Sequence, residues 1–218
     1  MIKKRDKSIN ILEVGFGNGY LLDKLIKKGF FNIYGVEKYL LENDVLPEVK
    51  EKVKIYKDDL KNIFFDKNFD FIYAIHVIEH ISDHNSFFKK LSSIIKKNGI
   101  VFFITPNASS FGLKIFKEFW WNLEDPTHCH FFSPESIKKC LEDNGFKCLK
   151  VVFPFWESIT IEVNSLLRFF NRKNLKHGIM SDKISLIISF LLLPFFLILR
   201  FIIPSIRPSM LVIAKKVK

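Results

Sequence analysis

Two hydrophobic patterns alternate along the first 150 residues of the 218-residue chain. Short apolar runs, which are typical of buried strands, are separated by stretches whose apolar residues recur at helical spacing. The apolar runs lie at Asn10–Phe16, Phe31–Glu37, Val53–Lys57, Phe69–Ile75, Gly99–Thr105 and Cys148–Phe153. Strands that alternate with helices predict an α/β domain with a parallel sheet and helices on both of its faces.

Three of the intervening stretches predict well-defined helices. Leu21–Lys28 and Asn85–Lys97 each carry one apolar face, and a glycine within two residues of each end is a typical stop signal. A third helix is predicted to begin after Ser133, where serine caps the helix and proline follows at its first position. It ends at Asn144, which precedes a glycine.

The longest apolar stretch follows residue 167. Between Ile184 and Ile206, 17 of 23 residues are apolar, and Met210–Lys216 then has the pattern of a seventh strand. The predicted division is one domain of residues 1–167 and 210–218, with a hydrophobic helical insertion at 168–209.

A membrane span by this stretch is disfavoured by its length, by residues that interrupt it and by the topology of the chain. Ile184–Leu199 is uncharged, but its 16 residues would reach only ~24 Å as a helix, less than the ~30 Å hydrocarbon core. Pro194 would also kink the helix, and Arg200 interrupts the run. A following seventh strand needs both ends of the insertion on one side of the membrane. We therefore expect a hairpin at the membrane interface or, alternatively, a helix that covers the core or a dimer interface.

Positive charge is concentrated in the same region. The chain has a formal net charge of +11, a mean hydropathy of +0.13 and 25 Phe. Residues 168–218 contain ten basic residues and one acid, so they contribute +9 and leave only +2 for the rest. Basic residues that flank an apolar stretch favour an anionic membrane surface over nucleic acid as the partner. The residues predicted to face lipid headgroups are Arg168, Arg172, Lys173, Lys176, Lys183 and Arg207.

The cysteines indicate a reducing compartment. Cys129, Cys140 and Cys148 are odd in number and lack CxxC spacing, which disfavours a disulfide framework or a zinc site. The first residues are charged and contain no apolar run of signal-peptide length. We expect a cytoplasmic protein that attaches peripherally to the membrane.

A glycine-rich loop joins the first strand to the first helix. It reads Glu13-Val-Gly15-Phe-Gly17-Asn-Gly19. Glycines let the backbone turn tightly and approach a ligand, and the N-terminus of the following helix favours a nucleotide-derived cofactor. Tyr20 stands where the dinucleotide-binding pattern has its third glycine, which disfavours NAD(P).

Acidic residues follow the next two strands. Glu37 ends the second strand, where a carboxylate can accept hydrogen bonds from both ribose hydroxyls. Asp58 and Asp59 follow the third strand, where one of them can accept from an adenine amino group. Ligands of such sheets bind beyond the carboxyl ends of the strands, so these acids and the glycine loop predict one site.

These segments resemble the class I S-adenosylmethionine-dependent methyltransferases. The resemblance covers about Ile9–Gly145 and Met210–Lys216, with ILEVGFGNG, YGVEKY, YKDDL, FDFIYAIHVIEHISD and HFFSPESIKKCLEDNGF as its motifs. They are similar to the branch that includes quinone-type O-methyltransferases and small methyltransferases of surface-glycan pathways. The resemblance implies a Rossmann-like methyltransferase fold, which is a doubly wound, mostly parallel seven-stranded sheet whose last strand is antiparallel.

The resemblance also implies the cofactor, S-adenosyl-L-methionine. The residues implied to bind it are Glu13, Gly15, Gly17, Gly19, Glu37, Asp58, Asp59 and His76. Asp59 matches the adenine-side acid of the family better than Asp58 does.

Histidines supply the candidate catalytic base. Methyl transfer to a hydroxyl needs alignment and a proton acceptor, and imidazole titrates near neutral pH. We predict that His76, with His80 or His128, takes the proton. The predicted acceptor pocket consists of His128, His130, Trp120 and Trp121. No metal is assigned, although Glu79, His80, Asp83 and His128 are an alternative set of ligands for a divalent cation.

The predicted function is methyl transfer from S-adenosylmethionine to an oxygen of a small or lipid-linked acceptor at the membrane surface. A glycan intermediate or a quinone precursor would be such an acceptor. The alternatives are an NAD(P)-dependent oxidoreductase and a membrane-attached binding module that keeps the fold without turnover. The sequence leaves the oligomeric state open.

Overall fold

A computed structural model describes residues 6–170 and 183–217, which form a seven-stranded sheet flanked by helices. The strands are β1 (Ile11–Val14), β2 (Ile33–Val36), β3 (Lys54–Tyr56), β4 (Phe69–Ile75), β5 (Ile95–Pro106), β6 (Phe146–Val152) and β7 (Ser209–Lys216). Their order is β3-β2-β1-β4-β5-β7-β6, and β7 runs antiparallel to both of its neighbours. The predicted doubly wound, mostly parallel sheet with an antiparallel last strand is confirmed.

Seven α-helices are assigned within the described residues. They are α1 (Tyr20–Lys27), α2 (Pro47–Lys52), α3 (His84–Ile94), α4 (Phe111–Phe116), α5 (Pro134–Asp143), α6 (Ile161–Phe170) and α7 (Lys183–Ile202). Short 3-10 helices lie at Glu42–Asp44, Leu60–Asn62, Ile78–His80, Lys117–Phe119, Trp121–Leu123 and Pro204–Ile206.

Three apolar clusters hold these elements together. Phe88 of α3 and Leu141 of α5 are buried in the largest cluster, together with residues of β1, β4 and β5. Leu22 of α1 lies in a second cluster that also includes α2. The third cluster joins α4, α6 and α7 through residues such as Val163 and Phe196.

The junction between α3 and β5 differs from the prediction. The helix ends at Ile94 instead of Lys97, and β5 begins at Ile95. Ile95 pairs with Phe69 at the start of β4 and is buried. Its side chain therefore stabilises the fold more as part of the sheet than it would in a further turn of the helix.

The insertion returns to the sheet through β7, as expected. Its predicted first residue, Arg168, lies inside α6, which begins at Ile161. This helix packs against α7, so the helical region starts before the predicted boundary. Within residues 6–170 and 183–217, no helix has both the length and the hydrophobicity of a membrane span.

Two of the predicted headgroup contacts are made within the protein instead. Arg168 forms an ion pair with Glu124 at 2.9 Å, and Arg207 donates a 2.8 Å hydrogen bond to the carbonyl of Phe153. Both guanidinium groups thus bind acceptors in neighbouring loops of the protein, although the buried Nη1 of Arg168 has no hydrogen-bond partner. Of the other predicted headgroup residues, Arg172, Lys173 and Lys176, like the side chain of Lys183, lie outside the described residues.

Candidate active site

A cavity of about 720 Å³ opens at the carboxyl ends of β1 to β4. Each of these strands ends in a residue or loop that sequence analysis assigned to the site, so the parallel sheet brings distant positions to one edge. Among the residues that line the cavity are Gly15, Gly17, Glu37, Asp58, Asp59, His76 and His80.

The glycine loop closes one side of this cavity. Gly15 has a φ of +72°, and a Cβ atom there would lie 2.3 Å from Cγ2 of Val77, so only glycine allows this approach. A Cβ at Gly17 would meet open space, which leaves room for a ligand. Gly19 precedes α1, and a Cβ atom there would lie 2.9 Å from Cγ1 of Val49 on α2, so glycine at this position allows the two helices to pack closely.

Glu37 and Asp59 lie at the ends of neighbouring strands. The Glu37 carboxylate accepts a 2.9 Å hydrogen bond from the backbone N–H of Gly17 and a 3.3 Å bond from that of Tyr39. Asp59 accepts from the backbone N–H of Lys61 at 3.2 Å and lies 3.4 Å from Nζ of Lys38. Both acids are thus oriented by backbone groups and present acceptors to the cavity.

Asp58 accepts hydrogen bonds mainly from residues of its own turn. Its Oδ1 accepts from Nδ2 of Asn62 at 2.9 Å and from the backbone N–H of Asp59 at 2.6 Å. These hydrogen bonds hold the pKa of Asp58 below its usual range.

Glu13 lies inside the sheet, beneath the loop. It is buried, and the hydroxyl of Tyr73 on β4 donates a 2.8 Å hydrogen bond to its Oε2. Burial raises the pKa of Glu13 to about 8, although the bond from Tyr73 acts in the opposite direction. This position supports the loop from below.

His76 follows β4 and is held between two carboxylates. Its Nδ1 lies 3.0 Å from Oε1 of Glu79, and its Nε2 lies 2.9 Å from Oε1 of Glu157. Glu79 is fully buried, and its Oε2 accepts a 3.0 Å hydrogen bond from the hydroxyl of Thr105. The backbone of His76 has a φ of +53°, a left-handed conformation that turns the chain at the end of the strand.

These two carboxylates set the charge of the ring. Burial alone would lower the pKa of His76, but the hydrogen bonds to Glu157 and Glu79 outweigh it and raise the pKa to about 9. His76 therefore keeps its proton at neutral pH, with both ring nitrogens acting as donors. Such an imidazolium can stabilise negative charge but cannot accept a proton, which does not fit the predicted role of base.

The rings of His80 and His128 contact each other with their centroids 4.6 Å apart and their planes inclined at 52°. The hydroxyl of Thr127 donates to Asp125 at 2.5 Å, so its oxygen accepts the 2.8 Å hydrogen bond from Nδ1 of His80. Nδ1 of His128 donates at 2.6 Å to the carbonyl of Asn122. In the neutral form of each ring, the lone pair is therefore on Nε2.

Three of the four residues in the alternative metal set meet near the cavity. Ligand atoms of Glu79, His80 and His128 all lie within 4.8 Å of one another, whereas Asp83 caps α3. Both oxygens of Glu79 already accept hydrogen bonds, and the His76 imidazolium beside them would repel a cation. The contacts therefore favour a hydrogen-bonded Glu79 without a metal.

Residues 1–151 match the family described as Methyltransferase domain. The chain belongs to this methyltransferase family. It has the fold of the class I S-adenosylmethionine-dependent methyltransferases, as the motifs implied.

Two curated relatives and one solved structure illustrate the similarity. The ubiquinone biosynthesis O-methyltransferase of Pelagibacter ubique is 34% identical over 107 residues, which cover 47% of this chain and 44% of the relative. The malonyl-[acyl-carrier protein] O-methyltransferase 2 of Ilyobacter polytropus is 26% identical over 153 residues, which cover 65% and 56%. The chain thus spans about half the length of these relatives. A SAM dependent methyltransferase from Archaeoglobus fulgidus shares the fold, with a TM-score of 0.60, 21% identity and coverage of 96% of this chain and 86% of that chain.

The predicted acceptor pocket of the methyltransferase does not form. Trp120 is 1% exposed and packs in the third apolar cluster, because burying its indole stabilises the contact between α4 and α6. His130 contacts His84 edge to face with centroids 4.1 Å apart, whereas His128 contacts His80, so the two rings have different neighbours.

Sequence analysis of the methyltransferase missed Glu157. This residue lies between β6 and α6, far from every recognised motif, and reaches the site only through the return of the chain after β6. The sequence signal for it is an acid directly after the apolar residues Phe155 and Trp156. Burial of an unpaired carboxylate at such a position would be unfavourable in free energy.

Proposed function

We propose that this methyltransferase transfers a methyl group from S-adenosylmethionine to a hydroxyl oxygen of a small or lipid-linked acceptor at the cytoplasmic surface of a membrane. The observation that carries the proposal is the pairing, on one cavity, of a fixed imidazolium at His76 with a second imidazole at His80. The free thiols of Cys129, Cys140 and Cys148 fit the reducing cytoplasm.

The cavity edge suits the cofactor. The Glu37 carboxylate would accept hydrogen bonds from the ribose hydroxyls, and Asp59 would accept one from the adenine amino group. The open space at Gly17 would let the cofactor approach the backbone of the glycine loop closely. When bound, the cofactor supplies a methyl group on a sulfonium. Glu13 and Gly19 support this site from beneath by packing.

We assign the base to His80 rather than His76. When the acceptor oxygen takes the methyl group and the methyl–sulfur bond breaks, the hydroxyl proton would pass to Nε2 of His80, while Thr127 holds Nδ1. His76 would stay protonated, with both of its N–H groups bound to Glu79 and Glu157, and its positive charge would stabilise negative charge that develops on the acceptor. The ring of His128 packs against that of His80 and would restrict its orientation.

The exposed face of α7 supports attachment to a membrane. Buried Ser189, Phe196 and Arg200 mark the inner face of the helix. The large apolar side chains on the outer face are Ile187, Phe190, Leu191, Phe195, Ile198, Phe201 and Ile202, each more than half exposed. An apolar patch of this kind is a typical interaction surface, and the charge of +9 in residues 168–218 favours anionic lipid.

A labelled-methyl assay tests the proposal. The full chain would be incubated with methyl-labelled S-adenosylmethionine and a membrane lipid extract, and the labelled lipid would then be treated with alkali. A methyl ether, the product expected on a hydroxyl, survives this treatment, whereas a methyl ester on a carboxyl group releases labelled methanol. Label found only on nitrogen or only as an ester, or no transfer by protein that binds S-adenosylhomocysteine, would refute the proposal.

A further inference from the structure

Arg200 is a fully buried cation in an otherwise apolar helix. Its Nε and Nη2 donate to the two carboxylate oxygens of Glu162 on α6, each at 2.7 Å. This bidentate pair locks α7 against α6, and the planar fork of arginine is required for it. A single charge between two apolar helix faces is costly unless every donor is used.

The remaining donors of Arg200 bind one loop. Nη1 donates to the carbonyls of Phe155 at 2.9 Å and Glu157 at 2.8 Å, and Nη2 donates to that of Ser158 at 2.7 Å. Ser158 has a φ of +49°, and its hydroxyl donates to Oε1 of Glu157 at 2.9 Å. Arg200 therefore binds the backbone carbonyls of Glu157 and of residues on both sides of it, and Glu157 is the residue that contacts His76.

We propose that Arg200 is a positioning residue, which holds Glu157 against His76 so that the hydrophobic insertion completes the active site. The inference rests on the proposed function, because His76 is placed there at the acceptor end of the cavity. It goes further in making α7 part of the catalytic machinery as well as a membrane attachment. Movement of α7 away from α6 would release the loop and with it one of the two carboxylates on His76.

A double-mutant cycle separates this role from simple stabilisation of the fold. The variants are Arg200→Lys, which keeps the charge but has fewer donors, Glu157→Ala, and their combination. If Arg200 acts through Glu157, each single variant lowers methyl transfer to the lipid extract by about 10- to 100-fold. The double variant then falls no more than about twofold below Glu157→Ala alone.

The matched control is Lys96→Met. Lys96 forms a 2.7 Å ion pair with Asp70 at the start of β4, the end of the strand opposite the cavity. Transfer by this variant should stay within about twofold of wild type. Affinity for S-adenosylhomocysteine, measured by calorimetry, should likewise stay within about twofold in Arg200→Lys and Glu157→Ala, since the cofactor residues lie on other elements.

A spectroscopic readout requires no acceptor. In protein labelled with 15N-histidine, the ring-nitrogen signals of His76 should shift in Arg200→Lys to the positions seen in Glu157→Ala. Wild-type signals in folded Arg200→Lys, or losses of transfer that simply add in the double variant, would overturn the proposal. If the wild type transfers no methyl group, the proposed function fails, and the spectra still test the link between Arg200 and His76.

Discussion

Nε2 of His76 lies 2.9 Å from Oε1 of Glu157, although 81 positions separate the two residues in the chain. The contact joins the end of β4 to the loop that precedes α6. Together with Glu79 on the other ring nitrogen, it makes His76 a fixed cation on the wall of the cavity. The chemical consequences can be measured at this ring and at the acids around it.

The charge of His76 should make stability depend on pH. The pKa of His76 is raised from 6.5 to about 9. The contribution of the protonated ring to the free energy of unfolding is therefore fully present below about pH 6.5 and is lost as pH rises through about 9. The ring is 37% exposed, so screening by water reduces the effect to about 1–2 kcal/mol. Urea unfolding of wild type and His76→Asn, which tolerates the positive φ, should differ at about pH 6 and converge above about pH 9. A constant difference across this range would contradict the assignment.

Glu37 should dominate cofactor affinity. Replacing its carboxylate with the amide in Glu37→Gln weakens the charge-assisted bonds to the ribose hydroxyls, and we expect affinity for S-adenosylhomocysteine to fall about 10- to 100-fold by calorimetry. Glu48→Gln is the matched control, because Glu48 is an exposed acid on α2. Equal affinities of the two variants would exclude Glu37 from the ribose site.

His80 should be needed for transfer but not for binding. His80→Asn removes the proposed base, and we expect the rate of methyl transfer to fall by about 10²- to 10⁴-fold. Affinity for S-adenosylhomocysteine should be unchanged. His128→Asn, which alters only the neighbouring ring, should lose much less activity. A chelator should leave the wild-type rate unchanged, and a rate that a chelator abolishes would instead support a cation at Glu79, His80 and His128.

Glu13 should reduce stability at alkaline pH instead of binding cofactor. Its pKa is raised to about 8, so folding favours the protonated form, and stability falls as pH rises from about 4.5 through 8. Glu13→Gln keeps an acceptor for Tyr73 and removes the buried charge, and we expect a gain of about 1–3 kcal/mol at about pH 9. A large loss of cofactor affinity in this variant would restore Glu13 to the binding site.

The sheet and the cofactor edge could be predicted because their signals are local. Gly15, Glu37 and Asp59 each follow an apolar run, and parallel strands necessarily bring their carboxyl ends to one edge. Glu157 and Arg200 could not be placed in this way, since their partners depend on how α6 and α7 pack. In the sequence, Arg200 interrupts an apolar helix and so argues against a membrane span. A charge in such a helix also indicates a buried acidic partner, because an unpaired buried cation would be unfavourable.

Attachment of α7 to lipid should depend on its outward phenylalanines. Phe190 and Phe201 are 82% and 77% exposed on the outer face, and burying each in a bilayer interface should contribute about 1.5–3 kcal/mol. We expect the full chain to float with vesicles of phosphatidylserine and phosphatidylcholine, and less with phosphatidylcholine alone or at high salt. Phe190→Glu and Phe201→Glu should each weaken binding by about 10- to 100-fold.

Phe64→Glu provides the control for this vesicle experiment. Phe64 is 88% exposed but follows the short helix Leu60–Asn62, away from α7 in the fold, so its replacement adds the same charge without altering the apolar face. If the face of α7 contacts lipid, Phe64→Glu binds vesicles as wild type does, because repulsion by one distant carboxylate is screened within about 10 Å. Equal losses in Phe64→Glu and Phe190→Glu would mean that net charge alone governs the attraction. In that case the apolar face of α7 would need a protein partner to explain its exposure.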